Sequence, residues 1–84
     1  MNYTKGEWRY TIIGLESKVV DERLGIIAHV SERNSLAEIE ANAYLISAAP
    51  DMYEALKEAF EKSHNPEVEI ILMKALAKAE GKEV

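Results

Sequence analysis

Apolar and polar residues alternate with period two through "EWRYTIIGL", residues 7–15. Trp8, Tyr10 and Ile12 fall on one side and Arg9, Thr11 and Ile13 on the other, the pattern of a half-buried strand. Gly14 ends the run. "SKVVDE" is a second, shorter β candidate around Val19 and Val20. "RLG" then supplies a turn, with Gly25 available for a positive φ. "GIIAHV" gives a third strand, with Ile26, Ala28 and Val30 on one face and His29 on the other. Links this short favour antiparallel pairing, so residues 7–30 predict a three-stranded meander.

From Ser35 the period changes. "SLAE" reads as a capping box: Ser35 can accept from the Glu38 amide, and the Glu38 carboxylate can reach back to the Ser35 amide. Leu36, Ile39, Ala43 and Ile46 follow at spacings of three and four. Ala37, Ala41, Leu45, Ala48 and Ala49 widen the apolar surface, so this helix needs cover on more than one side. Pro50 interrupts the pattern. Proline lacks an amide hydrogen and crowds the preceding turn, but it suits the first position of a helix. The first helix is therefore expected to end near Ala48 or Ala49 and a second to begin at Pro50; a kinked continuous helix is the alternative. Met52, Leu56, Ala59 and Phe60 form the second stripe. In "KSHNPE", Asn65 is a suitable N-cap and Pro66 a first helical residue. The third helix has Val68, Ile71, Leu72, Ala75 and Ala79 on one face, Ile70, Met73 and Leu76 beside it, and Gly81 past its end. The fold class expected is α+β, in the order βββααα, with a break at Pro50.

Composition narrows the picture. The 84 residues suit one domain, 1–84, with the meander in 7–30, the helices in 35–80 and a frayed tail in 81–84. There are 0 Cys, so disulfides and thiolate zinc sites are excluded. A core this small without staples makes self-association the expected substitute, a dimer first. Ile39, Ala43, Ile46, Met52 and Leu56 are the candidates for that interface or for the core. The net charge of -5 opposes non-specific attraction to nucleic acid or anionic lipid. No apolar window is long enough to span a membrane, and "MNYTKGEWRY" lacks a signal core, so a cytoplasmic location is expected.

Catalytic chemistry finds little support. His29 and His64 have no neighbours at metal-ligand spacing, so no metal or other cofactor is expected. Glu54, Glu58 and Glu61 repeat at helical spacing beside Lys57 and Lys62, as a solvated helix face does. Acids open every helix (Glu38, Asp51 and Glu67), which disfavours phosphate at those termini. A nucleotide would instead use Trp8 for stacking and Arg9, Arg33 and Asn34 for pairing, although Trp8 reads first as a core or interface anchor.

The stretch "AEIEANAYLISAAPDMYEALKE" resembles a segment of small phage and prophage proteins, in a pattern close to A-N-A-x-L-I-x-A-A-P-D/E-L-L/M-x-A-L. Asn42, Ala43, Leu45, Ile46, Ala48, Ala49, Pro50, Asp51, Met52, Ala55 and Leu56 match it; Tyr44 and Tyr53 stand where Arg and Leu are common. Ile27, Ala28 and Val30 match an I-A-x-V strand of the same proteins, and "ALAKAEGK" is similar to their tail. The resemblance implies a non-enzymatic accessory protein that binds a host protein or blocks an immune pathway. Sequestering a nucleotide signal at the sheet or a subunit interface is the alternative it implies.

Overall fold

The structure, a computed structural model, describes residues 2–31 and 35–82. Strands β1 (Arg9–Ile13), β2 (Glu16–Val20) and β3 (Ile26–His29) precede helices α1 (Leu36–Ser47), α2 (Ala49–Lys62) and α3 (Pro66–Ala79). The strands pair antiparallel in the order β1-β2-β3, so the α+β meander-then-helices expectation holds. Two compact units emerge: Asn2–Pro50, which includes α1, and a second beginning at Asp51.

In the first unit, Gly14 (φ 66) and Leu15 close β1 on β2, with Ile13 opposite Glu16. A positive φ at the first turn residue alone is the type II′ signature. Tyr10, Val19 and Ala28 form one row across the sheet, on the face that α1 covers. Val19, Val30, Ile39 and Ala43 are the buried centre of that contact, and Trp8, Tyr10, Ile27, Ala28 and Ile46 pack around it. Tyr10 also meets Tyr44 edge-on, with ring centroids 5.6 Å apart.

Strand β3 departs from simple alternation. Val19 pairs with Ala28 while Val20 pairs with Ile26, so Ile27 is an extra residue in a bulge. The bulge shifts the faces: Ile27 joins Ala28 and Val30 against the core, and Ile26 is left exposed. The expected grouping of Ile26 with Ala28 and Val30 is corrected accordingly.

The β2–β3 turn also differs from expectation. Positive φ falls on Leu24 (φ 64), not on Gly25. Asp21 organises the loop, its Oδ1 accepting from the Arg23 amide at 2.9 Å and the Gly25 amide at 2.7 Å. A Cβ at position 25 would lie 2.8 Å from Asp21 Oδ2. Glycine is needed there for close approach to a carboxylate.

Helix α1 starts at Ser35, whose Oγ accepts from the Glu38 amide at 3.3 Å and donates to the Glu38 carboxylate at 3.0 Å. The two side chains thus bond each other, where the sequence suggested a return to the Ser35 amide. The break is real: α1 ends at Ser47 with Ala48 as C-cap, and α2 starts at Ala49. Pro50 is the second residue of α2, one later than expected. The position serves equally well, because first-turn amides lack intrahelical partners.

In the second unit, the three-residue link 63–65 leads into α3. Asn65 caps it, accepting from the Glu67 amide at 2.9 Å and the Val68 amide at 3.4 Å, with Pro66 first. Gly81 (φ 75) ends it: the Lys82 amide bonds Ala77 O at 2.8 Å and the Gly81 amide bonds Lys78 O at 3.1 Å. That is a Schellman cap. Residues 83–84 lie outside the described residues.

Candidate binding surface

Helices α2 and α3 are joined by the short link 63–65. The Tyr53 hydroxyl, near the start of α2, donates to Glu80 Oε2 just past the end of α3 at 2.5 Å. Between the helices opens a cleft of about 360 Å³. Phe60, Met73, Leu76 and Ala77 make its apolar floor. Lys57, Glu61, Glu80 and Lys82 set charges of both signs around it. Lys82 Nζ lies 3.2 Å from Glu80 Oε1, and Lys57 Nζ sits 5.4 Å from the Tyr53 ring centroid.

The Tyr53 hydrogen bond, then Lys82, hold the Glu80 carboxyl below its ordinary value of 4.5. A depressed carboxyl pKa stabilises the fold above the ordinary value, and that contribution is lost as the pH falls through the lowered one. Tyr53→Phe removes the larger cause. The Glu80 midpoint, followed by carboxyl NMR, is expected below 4.5 in the parent and nearer 4.5 in the variant. Equal midpoints would show that the bond does not form in solution.

The apolar side of α3 is not the one periodicity suggested. Leu72, Leu76 and Ala77 are half-buried, whereas Val68, Ile71, Ala75 and Ala79 are exposed, as are Ile70 and Met73. None of the helix's residues is buried. With apolar residues nearly all round, its sequence could not select a face. Glu54, Glu58 and Glu61 are exposed as expected, and Lys62 pairs with Glu58.

The candidate residues distribute as follows. Ile39 and Ala43 are buried in the first unit's core and Ile46 packs against them, so these three serve the core. Met52 is exposed and Leu56 half-buried on α2. Trp8 packs on the α1 side of the sheet, edge-on to Tyr3, and its indole N–H donates to Thr4 O at 3.0 Å. Arg9 is exposed on the opposite face, in a row with Val20 and Ile26. Neighbours in sequence, Trp8 and Arg9 are thus not brought together. Arg33 and Asn34 lie outside the described residues.

Sequence reasoning missed a small charged group on the face opposite α1. Lys18 is buried there and pairs with Glu16 at 3.0 Å; His29 Nδ1 lies 4.0 Å from the same carboxylate. The Lys18 hydrogen bond, more than its charge, holds the Glu16 carboxyl below its ordinary value. The i, i+2 spacing of Glu16 and Lys18 on a strand was the available signal. Among the described residues, no group of three or more His, Asp or Glu is arranged to hold a metal ion, and no helix is long and apolar enough to cross a membrane.

No curated protein and no solved structure matches the chain. The family described as Salmonella phage P22 protein Y8K6 matches residues 1–83 of the 84. The chain therefore belongs to this family of phage proteins.

Proposed function

We propose that this phage protein is a non-enzymatic accessory factor of the host cytoplasm. It works as a homo-oligomer and binds a host protein, an immune-pathway component being the target class, through the α2–α3 hairpin. The observation that carries the reading is the uncovered apolar surface of α3, where Ile71 is 66% exposed and Val68, one turn before it on the same side, is 42% exposed. Contiguous apolar surface rimmed by charge marks interaction sites. A cleft with an apolar floor and charges of both signs suits an amphipathic helix from a partner, the floor giving affinity and the rim orientation. The net charge of -5 favours a partner with a basic surface.

The reading is tested by comparing the parent with Ile71→Glu in host cells. Ile71 is exposed, so circular dichroism should show an unchanged fold. A charge in an apolar anchor position costs about 2 kcal/mol or more of binding, roughly a thirtyfold loss. The host protein retained by the parent is expected to be lost from the variant. Equal retention would remove the Val68–Ile71 side of α3 from the contact and leave the cleft side, where Met73→Glu is the matching variant, and turnover of any nucleotide by the purified chain would end the non-enzymatic reading.

A further inference from the structure

Strand β1 lies at the edge of the sheet, and no other described segment pairs with its outer side. Natural edge strands are usually blunted by lysine, proline, a bulge or a cover. Strand β3, the other edge, carries the Ile27 bulge. "RYTII" carries no lysine, proline or bulge and a single charge, Arg9 at its first position, and its Ile12 and Ile13 are 60% and 46% exposed. The direction of its free backbone groups is fixed. Ser17 O accepts from the Val30 amide at 2.9 Å, so the Ser17 backbone faces β3. Ile12, opposite Ser17, therefore turns its own N–H and C=O outward, and Tyr10 does the same two residues earlier.

We infer that a second copy of this chain covers the edge, β1 pairing antiparallel with its own counterpart about a two-fold axis at Thr11. The inference rests on the homo-oligomer part of the proposed function and supplies its interface. This register uses the whole strand. It sets Tyr10 opposite Ile12 of the second copy, so that the outward groups of both exchange four hydrogen bonds. Thr11 meets Thr11, a favourable cross-strand pair. Ile12 comes beside the second copy's Tyr10, which already packs on Tyr44 over the α1 face.

Charge complementarity selects a copy of this chain as the occupant. Arg9, the one charged residue of β1, makes no ion pair among the described residues. The register places it opposite Ile13 of the second copy, whose own neighbour on β2 is Glu16. Arg9 and that Glu16 share a face two strand spacings apart, about 10 Å between backbones and within the joint reach of their side chains. Glu16 is exposed and ionised beside Lys18. The two arginines stand at opposite ends of the pairing, so like charges do not meet.

The chain has 0 Cys, so one introduced cysteine reports the register. In a non-hydrogen-bonded antiparallel pair the Cα atoms are about 4.5 Å apart, inside the disulfide range. Thr11→Cys is expected to cross-link rapidly under mild oxidation. Arg9→Cys places its two backbones about 14 Å apart and should not. Ile12→Pro removes an amide that β2 does not use, a tolerated position for proline on an edge. It should weaken the dimer about tenfold or more, since two of the four hydrogen bonds go. Light scattering of the parent should give a dimer mass at micromolar concentration. A monomer mass would overturn both the inference and the oligomer reading. A dimer unaffected by Ile12→Pro, with Thr11→Cys cross-linking no faster than Arg9→Cys, would overturn this interface and leave the oligomer reading standing.

Discussion

Ala43→Glu is expected to abolish cooperative folding of the first unit. Ala43 is fully buried among Val19, Val30 and Ile39, where α1 lies on the sheet. A methyl group fits there; a carboxylate would have to enter apolar surroundings without a partner, or force the helix off the strands. A buried uncompensated charge is among the costliest single changes, and overpacking adds to it. A loss of about 4 kcal/mol or more consumes most of the roughly 5–15 kcal/mol that holds an ordinary domain together. Ala41→Glu, exposed on the same helix, controls for helix propensity and should melt like the parent. Thermal unfolding followed by circular dichroism makes the comparison. Indistinguishable melts for the two variants would mean that α1 does not pack as described.

The second large effect concerns the β2–β3 turn. Gly25→Ala is expected to cost about 1–2 kcal/mol, because the new Cβ displaces the Asp21 carboxylate and with it two charge-assisted bonds to the backbone. If Gly25 were there for a positive φ, Gly25→Asn would be mild, since asparagine tolerates that region. Any Cβ must displace the Asp21 carboxylate, so Gly25→Asn should be as damaging as Gly25→Ala. Leu24→Gly should be nearly neutral, as relief of the left-handed leucine, about 1 kcal/mol, is offset by glycine's greater unfolded-state entropy. In the Asp21→Ala background Gly25→Ala should cost little, a non-additivity that a double-mutant cycle reads directly. Full additivity would exclude the clash.

What the chain's pattern discloses is set by how local each determinant is. Both helix starts with side-chain caps were legible, because Ser35 and Asn65 act on amides two or three residues away. The break was legible because Pro50 excludes a continuous hydrogen-bond ladder. The Ile27 bulge was not, since "GIIAHV" alternates acceptably in either register and only pairing with β2 decides which isoleucine turns inward. Leu24 in the left-handed region was hidden beside a glycine that is the more ordinary occupant. The cleft was invisible because Phe60 and Met73, which line it, come from different helices and nothing local in the sequence joins them. Trp8 and Arg9 are grouped as candidates by their chemistry, since acids occupy every helix start, and the strand sends the two side chains to opposite faces.

The proposed contact is tested most directly by photo-cross-linking in host cells, with a photoreactive residue placed singly at Val68, Ile71 or Ala75, which share one side of α3, and at Lys62 as control. All four positions are exposed. The α3 positions are expected to trap one and the same host protein, and Lys62 to trap none. Adducts of equal yield at all four positions, or no adduct along α3, would contradict binding through the hairpin.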